Sequence, residues 1–164
     1  MLINVYIANM AKYNEGKLVG SWVTLPMERH ELEQCIRDVL GKDEEYAIHD
    51  YESPFAIGEY EDVFAINEDL KILNRYDGRL VAALCEFLGD RDEVIQALQA
   101  GEFIVYYDID DLADVAVQMV EEGLFGHVPL SLIPYLDYDK IARDLQHDGW
   151  YLSRQLRIAV RLQS

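Results

Sequence analysis

Apolar positions recur along this chain with two different periods, and the changes from one to the other outline its elements. Residues 2–9 (LINVYIAN) and 18–25 (LVGSWVTL) are rich in β-branched and aromatic side chains, the composition of strands. Asn14-Glu15-Gly16 between them carries turn chemistry, so the two are predicted to form a hairpin that Pro26 closes. Over residues 28–40 the apolar Leu32, Cys35, Ile36, Val39 and Leu40 fall at helical spacing, and Gly41 stands where a helix end is capped. Residues 46–51 (YAIHDY) return to a strand. The first third therefore reads as a β-β-α-β unit ending near Tyr60.

The middle third keeps only the helical period. Leu70, Leu73 and Tyr76, then Leu80, Ala83, Leu84, Phe87 and Leu88, then Val94, Ala97 and Leu98 predict three short amphipathic helices, broken at Asp77-Gly78 and Gly89-Asp90. Asp90 with Glu93 three residues later resembles a capping box, and Gly101 ends the block. A strand follows at 103–107, then a helix capped by Asp108 or Asp110 and running to about Glu122. Leu112, Val115, Ala116, Met119 and Val120 form its apolar face; Asp111, Asp114, Gln118, Glu121 and Glu122 form a polar ladder on the other. A helix over 138–147 and a pair of short strands within 150–162 complete an α+β fold. The expected layout is an elongated chain of three small domains: an α+β unit at 1–61, a helical bundle at 62–102, and an α+β unit with a short sheet at 103–164.

Charge changes the picture. The chain has 31 acids against 14 Lys and Arg, a net charge of -17. Two stretches hold most of the excess: residues 92–139 carry eleven carboxylates and residues 43–70 carry ten, and neither contains a Lys or Arg. Interspersed signs lower self-repulsion, so a sequence that separates them accepts a destabilising field and points to a basic partner. The same field argues against nucleic acid as a direct ligand and against anionic membranes. No apolar run approaches the roughly 20 residues that a bilayer span needs, and the start of the chain lacks a signal peptide's basic region, so a cytoplasmic address is expected. Arg154, Arg157 and Arg161 lie where no acid follows Asp148, placed to neutralise a neighbouring acidic surface or to meet a second subunit.

Catalytic chemistry finds little footing. Paired-carboxylate hydrolysis needs two acids in contrasting environments across a cleft, and no pair is singled out. His49-Asp50 invites a catalytic or metal role, but His30, His127 and His147 are scattered and no Cys/His cluster exists. Asp108-Ile109-Asp110-Asp111 lacks the glycine and distant glutamate of a calcium loop. Cys35 and Cys85 read as buried thiols; Tyr106, Tyr107, Tyr135 and Tyr138 read first as core side chains and otherwise as flat apolar groups on the partner-facing surface. No enzyme activity, metal or cofactor is expected.

Three runs carry a resemblance: VYIANMAKYNEGKLVGSWVTLP, EEYAIHDYESPF and GHVPLSLIPYLDYDKIARDL. In order and over nearly the whole length, they resemble the ArdA antirestriction proteins of conjugative plasmids and transposons; the central helices match least. The resemblance implies an elongated, curved homodimer that imitates bent B-form DNA and occupies the DNA-binding groove of type I restriction-modification enzymes, within their methyltransferase core. It also places an antirestriction motif at residues 126–144, whose carboxylates are Asp137, Asp139 and Asp144. Duplex DNA carries one charge per about 1.7 Å, so two such chains would match between about 58 and about 105 Å of duplex. The candidate partner-facing carboxylates are Asp43, Glu44, Glu45, Asp50, Glu52, Glu59, Glu61 and Asp62 in the first stretch. Asp108, Asp110, Asp111, Asp114, Glu121, Glu122, Asp137 and Asp139 are those of the second, with Asp144 just beyond it. The apolar Leu124, Phe125, Leu130, Leu132 and Ile133 are the expected dimer contact. An acidic adaptor for another basic DNA-binding protein is the alternative.

Overall fold

The computed structural model describes residues 1–163. In it β1 (Ile3–Asn9) is the centre of an antiparallel sheet, between β2 (Gly20–Leu25) and β3 (Tyr46–Glu52), in the order β2-β1-β3. Ile3 opposes Leu25 and Val5 opposes Val23, so period-2 alternation gathers Ile3, Val5, Ile7, Val23 and Leu25 into one core. The core is closed by α2 (Arg29–Leu40) through Leu32, Ile36 and Val39. Glu28 and Glu31 form the capping box of α2, and Gly41 ends it as expected, at a φ of 57° that a side chain would resist. Gly20 is needed for a different reason: a Cβ there would lie 2.6 Å from the carbonyl oxygen of Ile7.

β1 and β2 pair as the antiparallel hairpin expected, and only their connection needs correcting. Between β1 and β2 the chain forms a short helix, α1 (Met10–Asn14), so the unit is β-α-β-α-β. Its cap is Asn9, whose Oδ1 accepts from the Lys12 amide while its buried Nδ2 donates to Val39 and Leu40 carbonyls and to Asp43. The cap is thus held by α2, some thirty residues away, and local turn chemistry gives no sign of it.

The central helices are α3 (Val63–Leu73), α4 (Gly78–Leu88) and α5 (Arg91–Ala100). Asp62, Asp77 and Asp90 cap them in turn, Asp90 through the Glu93 amide. The first begins seven residues before the expected apolar series, because Val63 and Ile66 belong to the same buried face. Buried Asn67 exchanges two hydrogen bonds with the backbone of Met27, one from its Nδ2 and one to its Oδ1, and so ties α3 to the first unit.

A second antiparallel sheet follows, β4 (Phe103–Tyr107), β5 (Tyr151–Ser153) and β6 (Ile158–Leu162), in the order β4-β6-β5. Between β4 and β5 lie α6 (Leu112–Glu121) and α7 (Tyr138–His147), which pack on each other. Strand β4 is apolar throughout because both its faces are covered. Phe103, Val105 and Tyr107 join Ile158 and Val160 against the large core of first sheet and central helices; Ile104, Tyr106 and Ala159 face a smaller core with Val115, Ala116, Leu145 and Trp150. The large core therefore runs across residues 61/62 and 102/103. The expected cap of α6 is also corrected: Asp111 caps it, in a capping box with Asp114. Asp108 sits instead at a φ of 60°, and Asp110 pairs with Arg157.

The accessible surface is 9869 Å². A compact monomer of 18.9 kDa exposes roughly 8,300 Å², so this chain shows about a fifth more surface than its mass requires.

Candidate partner-binding surface

None of the 31 carboxylates is buried: Glu33, Asp43, Glu61, Asp69 and Asp114 are half-buried and all others exposed. Exposure alone does not make a carboxylate available. The structure sorts the candidates by what already holds them.

Some acids lock the fold. The side chain of Arg91, 13 % exposed, donates from Nη2 to Glu61 at 3.0 Å and from Nε to Asp69 at 2.8 Å, and its guanidinium lies 5.4 Å from the Phe55 ring centre. Burial alone would lower its pKa, but the hydrogen bonds and charges of Glu61 and Asp69 outweigh burial and hold it above the ordinary value. Asp43 accepts from Asn9 and lies 3.7 Å from the Lys12 ammonium. Asp108 and Asp110, expected as free groups, take Arg79 and Arg157. Two of the three tail arginines thus neutralise acids within the chain, Arg157 on Asp110 and Arg161 on Asp148, and the hydrogen bond that Arg157 donates to Asp110 raises the Arg157 pKa.

Other candidates lie against the backbone or against a single side chain. Asp62, Asp111 and Asp137 cap α3, α6 and α7. Asp114 turns back to the amides of Asp110 and Asp111. Glu122 accepts from the Tyr106 hydroxyl at 2.8 Å, and burial together with that neighbouring carboxylate pushes the phenol up to about 12. Glu52 accepts from Asn4, Asp50 from the Tyr51 amide, and Glu59 stands 3.6 Å from His49. The ladder on α6 is therefore not a free track, since Glu121 alone of its acids has no such partner.

Five candidates remain without a hydrogen-bond or ion-pair partner among the described residues: Glu44, Glu45, Glu121, Asp139 and Asp144. Asp92, Glu93 and Glu102 share that condition and were not among the expected residues, although they fall in, and could have been taken from, the same base-free stretch. Asp139 and Asp144 project from α7, which also carries the guanidinium of Arg143. Beside α7 the segment between α6 and α7 exposes Leu124, Phe125, Leu130, Leu132 and Tyr135, with Ile133 half-buried. Tyr135, expected in a core, is 84 % exposed there because it follows Pro134 in a single 3-10 turn with no element over it. Tyr106 is buried as expected, with Tyr107 and Tyr138 half-buried against the two cores. Cys85 is buried, its thiol pushed up to about 11, whereas Cys35 is only half-buried.

No three His, Cys, Asp or Glu side chains among the described residues are grouped to hold a metal ion, and no helix there is long and apolar enough to cross a membrane. An acidic surface with a few unbonded carboxylates is equipped for binding cations on a protein. A family model described as antirestriction protein (ArdA) matches residues 5–155. The chain belongs to the ArdA antirestriction family. The match spans both sheets except β6, and it includes α7 and the exposed apolar segment. No curated protein matches the chain. Antirestriction is an inhibitory role, which fits a surface built of exposed charge.

Proposed function

We propose that this ArdA-family protein inhibits type I restriction-modification enzymes by imitating bent B-form DNA. Its carboxylates enter the basic groove that otherwise holds phosphates, and DNA is excluded by competition. The observation that carries the proposal is that no carboxylate of 31 is buried, while eight of them have no partner among the described residues. Opposite potentials speed encounter and select partners. Phosphate-like contacts carry no base information, so one surface serves against enzymes of different sequence specificity.

An elongated shape belongs to the same proposal and is supported by the surplus of accessible surface, with the units 1–61, 62–102 and 103–164 joined through one large core. So does a homodimer, joined through Leu124, Phe125, Leu130, Leu132 and Tyr135, since contiguous exposed apolar area marks interfaces. The place of action is the cytoplasm, where entering DNA meets the enzyme.

The test is competition. Purified protein is titrated into a type I enzyme at several DNA concentrations, and bound DNA is followed by gel shift. Competitive displacement, with midpoints that rise in proportion to DNA, is the expected result. A stable ternary complex of enzyme, DNA and this protein would refute it, and displacement of DNA from a nucleoid protein alone would favour an adaptor role.

A further inference from the structure

The motif His49-Asp50 sits on an irregularity of the first sheet. Tyr6 pairs with Asp50 and Ile7 with Ile48, so His49 is an extra residue bulged from the ladder between β1 and the edge strand β3. Bulges re-aim side chains, often at functional edges. Around this one opens a cleft of about 450 Å³ lined by Tyr13, His49, Asp50, Tyr51 and Glu59. The Tyr13 ring meets the His49 ring edge-on, with centres 4.6 Å apart at 77°. Tyr13 and Tyr51 are 49 % and 38 % exposed. His49 Nε2 is closed off from water and has no hydrogen-bond partner; Glu59 Oε1, at 3.6 Å, is near enough for ionic attraction and too far for a hydrogen bond.

The chain itself shows what such a combination holds. Arg29 lies 5.0 Å from the centre of Phe64 and pairs with Glu33; Arg79 lies 5.3 Å from Tyr107 and pairs with Asp108; Arg91 lies over Phe55 and pairs with Glu61 and Asp69. In each, a ring and a carboxylate share one guanidinium. The cleft at the bulge offers the same parts, two tyrosine rings and two carboxylates, but no Lys or Arg lines it. We infer that it seats a guanidinium, an arginine side chain presented by the basic protein that the acidic surface meets. The inference rests on the proposed function for the identity of that protein. Guanidinium fits better than a lysine ammonium because it is planar, weakly hydrated and able to stack on a ring while its N–H groups reach carboxylates. Such a contact adds what charge alone lacks, a geometric requirement on one residue of the partner.

Two measurements test it separately from the mimicry. In the first, methylguanidinium chloride is titrated into the free protein while the His49 and Tyr13 ring resonances are followed, against sodium chloride at equal ionic strength. Saturating shifts with methylguanidinium alone are expected, and their loss in a Tyr13→Leu/Tyr51→Leu variant; equal shifts with both salts would overturn the seat. In the second, the same variant, which removes two rings and no charge from exposed positions, is measured against a type I enzyme. An affinity about tenfold weaker, with an unchanged salt dependence, is expected. Undiminished affinity would overturn the inference and leave the mimicry standing. Saturation by methylguanidinium without binding of any type I enzyme would retain the seat and refute the proposed partner.

Discussion

The acids around Arg91 and those on α7 have the same chemistry and opposite tasks. Glu61 and Asp69 are half-buried and share a guanidinium that joins the loop at Phe55, α3 and α5. Asp139 and Asp144 stand in solvent, bonded to nothing among the described residues. The first pair has already met its cation, so it has little left to offer a partner; the second pair keeps its full attraction, and its one part in the fold is Asp139 in the first turn of α7, at the positive end of the helix dipole. Density of carboxylates along a sequence therefore overstates the surface a basic protein would meet. What matters is the subset that the tertiary structure leaves unbonded.

Neutralising that subset should give the largest effect. The variant Glu44→Gln/Glu45→Gln/Glu121→Gln/Asp139→Asn/Asp144→Asn is expected to lose about 3–4 kcal/mol of enzyme affinity, roughly two to three decades in Kd, if each exposed charge contributes ~0.5–1 kcal/mol. Its melting temperature should hold or rise, because repulsion is relieved. Arg91→Ala should do the reverse: about 2–4 kcal/mol of folding stability lost in urea titration, since two half-buried carboxylates would then face each other without a cation. If Arg91→Ala melts like the parent, the division between locking and free acids fails.

Smaller effects sharpen the picture of the joints. Asn67→Ala leaves the Met27 amide and carbonyl without their partners, and should cost about 2 kcal/mol by the same titration. Tyr106 links α6 to the second sheet through Glu122, and its phenol is held neutral up to about 12. Because the folded pKa lies above the unfolded value of about 10, the stabilisation is intact below pH 10 and is lost as pH rises toward 12. Tyr106→Phe should flatten stability against pH in that window. Smallest of all, Cys35 should be alkylated well before Cys85, whose thiol is raised to about 11; mass spectrometry of briefly labelled protein decides it.

Much of the fold was legible because local patterns agreed with tertiary need. Strand β4 and helix α7 were placed at their observed bounds, and Gly41, Asp90 and Gly101 mark helix ends as their chemistry suggests. What escaped depended on distant partners. The cap of α1 is an asparagine held by α2, and the cap of α6 moved to Asp111 because Asp108 and Asp110 are drawn toward Arg79 and Arg157. For the same reason the base-free stretches misled: Arg79 and Arg157 lie outside residues 92–139 in sequence and beside Asp108 and Asp110 in space. Glu44, Glu45, Glu121, Asp139 and Asp144 were among the expected residues, but nothing in their spacing separated them from Glu61 or Asp114. The bulge at His49 follows from the register of β3 against β1, a pairing that periodicity alone does not fix.

One comparison reaches the central claim most directly: the salt dependence of binding to a type I enzyme, measured for the parent chain, for the five-site neutralised variant, and for Glu61→Gln/Asp69→Asn. Unbonded carboxylates acting in place of phosphates require a steep fall in affinity with added salt for the parent. That slope should be much shallower for the five-site variant and nearly unchanged for the Glu61/Asp69 variant. Equal slopes for all three, or a parent whose affinity ignores salt, would contradict the account.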